Sequence, residues 1–151
     1  KESADGLISF LGRRCPVIMT PHLGEMSRLT GRDIKMISSD VLAACRKFAK
    51  RYQVICVLKD ARTVTCTPDG FGYVNCSGNN GMATGGSGDV LSGIIGGLVC
   101  QQKDKSEEAL GRTAALGAYI HGLCGDAAKN KCGLYGLLAS DIIKYIPCII
   151  R

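Results

Sequence analysis

Apolar residues along this chain come in two kinds of run, short continuous blocks and longer stretches at helical spacing. Residues 17–20 form a short block stopped by Pro21, the pattern of a buried strand passing into a loop. Ser39 and Asp40 then offer caps to a helix over 41–51, whose Leu42, Cys45, Phe48 and Ala49 share one face. Residues 54–58 are continuously apolar and predict a second buried strand with Lys59 at its end. Segments 63–67 and 72–76 flank Pro68-Asp69-Gly70 and predict a hairpin. A glycine-rich loop, 78–88, precedes a core-facing helix over 90–99, marked by Leu91, Ile94, Ile95, Leu98 and Val99. Gly93, Gly96 and Gly97 inside that helix cost ~1 kcal/mol each relative to alanine, a cost that close approach to a sheet would justify. A second long helix is expected over 107–128 behind a Ser106 cap. A last helix is expected behind a Ser140 cap, kinked or ended by Pro147. Strand and helix signals alternate with no internal repeat, low-complexity tract or linker, which predicts a layered α/β domain.

Composition narrows the class. A chain of 151 residues, 46% hydrophobic and 21% charged, fits one globular domain or a piece of a larger one and excludes intrinsic disorder. Its 20 glycines lack a three-residue period, so collagen is excluded, and with 5% aromatics and no Trp the core must be aliphatic. No apolar run reaches the ~18 residues that span a bilayer, and the polar start KESADG is no signal peptide, so a soluble protein is expected. The net charge of +6 is either a generic basic surface or an attraction for anionic substrates such as nucleotides. No Lys/Arg run interleaves with aromatics, which argues against nucleic acid. The nine cysteines are odd in number and form no CxxC pair, which argues against a disulfide framework and a zinc knuckle. Most sit in apolar runs, as Cys56 and Cys100 do, and none adjoins a His. Reduced packing thiols in a cytoplasmic protein are expected.

The candidate chemistry lies in 78–89, GNNGMATGGSGD. Gly85, Gly86 and Gly88 let the backbone turn and aim successive N–H groups at one spot, directly before a helix N-terminus with its own positive potential. That arrangement holds a phosphate without a basic side chain, although a tight strand-to-helix turn with no ligand would use glycines too. The loop is no Walker A, since no Lys follows its glycines. Nor is it a GxGxxG fingerprint, since counting from Gly86 and Gly88 the third position is Leu91. Asp89 is either a dipole-compensating residue in the first helical turn or the group that accepts the proton of a substrate hydroxyl as it attacks a phosphoryl group. His22 and Glu25 follow the first strand and Lys59 ends the second, at the carboxyl edge where open α/β sheets bind ligands. A surface role for His22 and a solvated strand end for Lys59 are the plain alternatives. Lys59 beside a nucleotide phosphate, with Thr63 nearby, is the functional one. His121, inside a helix, is expected to be structural.

TPHLGE, the KDART segment, GNNGMATGGSGDVLSGII and the closing HGLCGDA…GLLASD together resemble the bacterial ADP-dependent NAD(P)H-hydrate dehydratases, a ribokinase-like family. The resemblance runs from Ala4-Asp5-Gly6-Leu7 to the C-terminus. It implies a ribokinase-like layered sheet with flanking helices, and a metabolite-repair lyase. Such an enzyme uses ADP to phosphorylate hydrated NADH or NADPH, then eliminates phosphate to give NAD(P)H, AMP and phosphate. By position, Asp89 matches the catalytic aspartate that also touches the hydrate, and His22 matches a dinucleotide contact. Lys59, Asp60, Ala61, Arg62 and Thr63, together with Gly85, Gly86, Ser87 and Gly88, match the adenine-nucleotide site. The family usually carries Gly where this chain has Asp60. Mg²⁺ is expected with ADP, without identifiable protein ligands. The resemblance also implies that 1–151 is the C-terminal part of one domain. The chain would then be a fragment, a cleaved chain, or one whose N-terminal half is supplied separately, and that half or a homo-oligomer is expected as partner. A vitamin-precursor kinase of the same superfamily and a non-catalytic nucleotide-binding fragment are the competing readings.

Overall fold

The computed structural model describes Gly6, Ile8 and residues 14–150, so of the Ala4-Asp5-Gly6-Leu7 start of the resemblance only Gly6 lies among the described residues. β1 (Ile18–Met19) leads into α1 (Leu23–Thr30), α2 (Ile34–Ser38) and α3 (Val41–Tyr52). β2 (Ile55–Leu58), β3 (Val64–Cys66) and β4 (Gly72–Val74) follow, then a 3₁₀ turn (Asn80–Met82). α4 (Ser87–Gln101), α5 (Glu107–Cys132) and α6 (Ala139–Ile149) complete the described chain. The sheet runs in the order β1-β2-β3-β4. β1 pairs parallel with β2, and β3 forms antiparallel ladders with β2 and β4.

β2 is buried along its whole length, and its side chains alternate between two cores. Cys56 and Leu58 pack with Phe48, Ala49 and Tyr52 of α3 on one face. Ile55 and Val57 pack with Leu91, Ile95, Leu110, Ala114 and Ala118 of α4 and α5 on the other. A strand covered on both faces needs no polar alternation, which is why it reads as an unbroken apolar run. Each such aliphatic side chain contributes about 1.5–3 kcal/mol on burial. A third cluster joins Ile94 of α4 to Ile120, Cys124 and Ala128 of α5 and Ile142 of α6. The result is a three-layer α/β arrangement. Among the described residues no helix is long and apolar enough to cross a membrane. All nine cysteines are free thiols, and Cys45, Cys56, Cys66 and Cys124 are buried. Burial and the neighbouring sulfur push the Cys45 and Cys66 thiols well above their ordinary range, so these are inert packing groups.

Several local expectations change. Asp40, not Ser39, caps α3, accepting from the Ala43 amide at 2.9 Å. The hairpin strands are shorter than 63–67 and 72–76, stopping at Cys66 and Val74. Ser106 caps α5 as expected, but that helix runs on to Cys132. Leu138 is the N-cap of α6, so Ser140 sits inside the helix. Asp141 reaches back to the Leu138 amide instead, at 3.1 Å. Pro147 is accommodated within the last turn of α6, which ends at Ile149. The glycines of α4 do not serve a close approach to the sheet: a Cβ at Gly93, Gly96 or Gly97 would meet nothing within 4 Å. Close packing belongs to α5, where a Cβ at Gly111 would strike Thr67 and one at Gly117 would lie 2.6 Å from Ile95.

Candidate functional site

Parallel pairing of β1 with β2 places their carboxyl ends side by side, and a His22–Lys59 bridge continues the ladder beyond the strands. His22 caps α1. Its Nδ1 accepts from the Gly24 and Glu25 amides at 3.1 and 3.3 Å, while its own amide donates to Glu25 Oε2 at 2.7 Å. The Lys59 ammonium lies 3.7 Å from Glu25 Oε2. Partial burial works against the Glu25 carboxylate, but the His22 amide and the Lys59 charge hold its pKa below the ordinary value. Lys59 Nζ would lie 3.0 Å from a Cβ at position 88, so only glycine lets the ammonium rest against the start of α4 without displacement.

The glycine loop is partly closed on itself and partly open. The amides of Gly81, Met82, Ala83 and Ser87 donate within the loop. Those of Thr84, Gly85, Gly86 and Gly88 have no acceptor among the described residues. Gly86 holds a left-handed φ of 84° and caps α4 without any side-chain bond. The unpaired amides, the helix dipole and the Lys59 ammonium therefore act at one end of α4, an arrangement suited to an anion. The loop's other end hangs from α5. Asp126 accepts from the Gly78 amide at 2.8 Å and from Asn79 Nδ2 at 2.9 Å. Ser77 Oγ donates to Tyr119 O at 2.8 Å, and Gly122 and Gly125 leave room for Ser77 and Met82. The Thr20 and Ser92 hydroxyls, 3.1 Å apart, tie the end of β1 to α4.

These parts enclose a cleft of about 790 Å³, the size of a small-molecule site. Of the residues singled out in the sequence, His22, Lys59, Asp60, Ala61, Thr63, Ser87 and Gly88 line it. Four other candidates do not. Arg62 is exposed, its guanidinium 4.0 Å from Cys76 Sγ. Gly85 and Gly86 lie on the exposed side of the turn. Asp89 is exposed in the first turn of α4, one residue beyond Gly88 and outside the cleft lining. His121, expected to be structural, ties α5 to Ser87 through Nε2, 3.3 Å from Ser87 Oγ, and also lies in the lining. Sequence reasoning also missed Asn75 and Asn79 in the lining and Asp126 behind it. The spacing of His121, Gly122, Gly125 and Asp126, one helical face ending in a carboxylate, was the available signal.

Asp60 is the one acidic residue lining the cleft, and no group of three His, Cys, Asp or Glu side chains among the described residues could hold a metal ion. The residues present therefore form no all-protein Mg²⁺ cage, and the ion would be shared between a carboxylate such as Asp60 and the phosphates of a bound nucleotide. The same residues do fit a phosphate group.

A family model described as NAD(P)H-hydrate dehydratase matches residues 3–148. The bifunctional NAD(P)H-hydrate repair enzyme Nnr of Moorella thermoacetica is 45% identical over 140 residues, covering 93% of this chain and 26% of that protein. The ADP-dependent (S)-NAD(P)H-hydrate dehydratase of Neisseria meningitidis is 42% identical over 142 residues, covering 93% of this chain and 46% of that protein. A crystal structure of the ADP/ATP-dependent NAD(P)H-hydrate dehydratase of Bacillus subtilis, co-crystallised with ATP/Mg²⁺, superimposes with a TM-score of 0.81. It is 33% identical and covers 89% of this chain and 47% of its own. The chain thus spans between about a quarter and half of the relatives it matches. Its α/β layering is ribokinase-like: a ribokinase-like superfamily protein of Enterococcus faecalis superimposes with a TM-score of 0.71 at 32% identity, covering 97% of this chain and 49% of its own.

Proposed function

We infer the function from one premise: this chain belongs to the NAD(P)H-hydrate dehydratase family. We propose that it is the C-terminal, nucleotide-holding part of one ribokinase-like domain that repairs hydrated NADH and NADPH at the expense of ADP. The observation that carries this reading is the Lys59 ammonium resting against Gly88, whose amide, like that of the cleft-lining Thr84, has no acceptor among the described residues. In this reading the β-phosphate of ADP occupies that end of α4 and its nucleoside lies along Asp60, Ala61 and Thr63. Mg²⁺ enters on the phosphates of the nucleotide, and no step below is assigned to it.

Catalysis then asks the chain to hold a phosphoryl group and take one proton. As the hydrate's hydroxyl oxygen bonds to the β-phosphorus, its proton passes to the Asp89 carboxylate and AMP departs. Loss of inorganic phosphate, with a proton from the adjoining carbon, restores the double bond of NAD(P)H. Asp89, Gly93, Gly96 and Gly97 are all exposed on one face of α4, a smooth strip that lets another element approach closely. That strip supports placing the N-terminal half of the domain, with the rest of the hydrate pocket and His22's dinucleotide contact, over Asp89. Exposed apolar side chains at Tyr135, Leu138 and Ile143 support a homo-oligomer, and the nine free thiols support a cytoplasmic protein.

The test is Asp89→Asn in the protein completed by its N-terminal half. ADP binding by calorimetry should be retained, while release of AMP and recovery of NADH absorbance fall by at least 10³-fold, in keeping with loss of an acid–base group. Turnover near the unsubstituted rate would remove Asp89 from this role. ADP binding without any turnover in the unsubstituted protein would leave the chain a nucleotide-holding module only.

A further inference from the structure

We propose that His121 is a positioning residue for the phosphate site. Through the Ser87 hydroxyl it fixes the first turn of α4, and with it the Gly88 amide and the resting place of the Lys59 ammonium. The inference builds on the reading of this cleft as a nucleotide-phosphate site.

Four of the described helices carry a side-chain cap: His22 on α1, Asp33 on α2, Asp40 on α3 and Ser106 on α5. α4 has none, because its cap position is Gly86 in a left-handed conformation. A helix start made of Gly86, Ser87 and Gly88 is the least restrained backbone in the site, yet it must hold its amides still to bind an anion well. Ser87 is the exception within it. Its side chain is buried, with only 7% of the residue exposed, and the partner of its hydroxyl is His121 Nε2 at 3.3 Å. His121 belongs to α5, where Asp126 and Gly122 already hold the 77–79 end of the same loop. One helix face thus grips the loop at both ends, by a carboxylate at the start and an imidazole at the finish.

An imidazole suits this position because it remains uncharged. Burial, chiefly, and the nearby Lys59 ammonium push its pKa down to about 4. The other charged or titratable groups around the cleft are Glu25 and His22 on α1, Asp60 after β2, Asp89 on α4 and Asp126 on α5 itself. With His121 neutral, Lys59 is the one Lys or Arg among the described residues that line the cleft, and the α5 residues in that lining, Ala118, His121 and Gly122, place no charge against it.

The full chain is titrated calorimetrically at pH 7 with ADP and, separately, with adenosine, which has no phosphate to lose. His121→Ala and Ser87→Ala should each weaken ADP binding by about tenfold and leave adenosine unchanged. The double variant should be no weaker than either single one, because both remove the same link. His121→Gln, whose amide can reach Ser87, should recover most of the affinity. In the completed enzyme KM for ADP should rise with little change in kcat. ADP binding at unsubstituted strength in Ser87→Ala, equal losses for ADP and adenosine, or a double variant showing the product of the two losses would each overturn the proposal. Should His121→Ala not fold, Ser87→Ala and His121→Gln still decide it. An unsubstituted chain that binds no ADP would overturn the nucleotide reading itself, a result distinct from any of these.

Discussion

The two walls of the cleft are built on opposite principles. The strand-end wall carries the charge, and its contacts are nearly all local. His22 and Glu25 bond each other three residues apart, with side chains 51% and 41% exposed, while the Lys59–Glu25 pair and the Thr20–Ser92 hydroxyls are the side-chain links from this wall to other elements that the described residues show. The loop wall presents no charged side chain to the cleft, and distant partners hold it. Ser77, Gly78 and Asn79 are anchored on α5 by bonds spanning 42, 48 and 47 residues. Charged side chains on a solvated edge adjust to a ligand, whereas backbone amides bind an anion only if the chain presenting them is already in place. On the proposed reading, specificity for a phosphate would rest on α5, a helix with a single side chain in the cleft lining that could bond it.

The sharpest way to break this contrast is Gly122→Ala. A Cβ there would lie 2.7 Å from the Ser77 carbonyl carbon and 2.8 Å from Ser77 Cβ, besides striking its hydroxyl, so backbone must move. Overpacking of this kind should cost about 3 kcal/mol, or roughly 9 °C in Tm for a chain of this length. Urea denaturation checks the first figure and thermal unfolding the second. A loss below about 0.5 kcal/mol would mean that the 77–79 segment is not pinned and that the loop wall is as adjustable as the other.

Acid should distinguish the walls next. Above pH 6.5 the His121 ring is neutral in folded and unfolded chains alike, so its contribution is fully present. Between 6.5 and about 4 only the unfolded chain takes up the proton, and stability falls as the pH falls. Below about 4 both states are protonated and this group removes nothing more. The loss should be of order 2 kcal/mol, allowing for the ring's residual contact with water. Urea unfolding at pH 7 and pH 4.5 should show it as a difference between the unsubstituted chain and His121→Gln, which lacks the titrating group. Parallel pH profiles for the two would place the ring in ordinary solvent.

What the sequence made legible divides along the same line. β2 is plain as five apolar residues because both of its faces are covered, and the hairpin is plain because Pro68-Asp69-Gly70 can only turn. The Lys59 position and the glycine loop are legible because strand ends and helix starts are local features. The buttress is only half legible: the spacing of His121, Gly122, Gly125 and Asp126 marks one helical face, but nothing in it names Ser77 and Asn79 as the partners that lie against it. The partner of His121 is hidden for the same reason, Ser87 being 34 residues away. Gly93, Gly96 and Gly97 are a different case. Leu91, Ile94 and Ile95 already claim the inner face of α4, so the intervening glycines had to point outward, and the apolar stripe contained that information.

The smallest expected effect belongs to the local wall, and it should be repairable. His22→Ala removes the Nδ1 acceptor of the Gly24 and Glu25 amides, but both lie where water can replace it. Loss of such a cap should cost about 1 kcal/mol, or roughly 3 °C in Tm. His22→Asn supplies a capping oxygen at the same place without an imidazole and should return stability to within a few tenths of a kcal/mol. The pair of variants therefore separates the ring's service to α1 from any contact it makes with a dinucleotide. Stability recovered in Asn while the KM for the hydrate stays raised would assign both tasks to His22. Failure of Asn to restore stability would show that the imidazole packs against the strand end as well as capping it. The strand-end wall would then share the rigidity ascribed above to α5 alone.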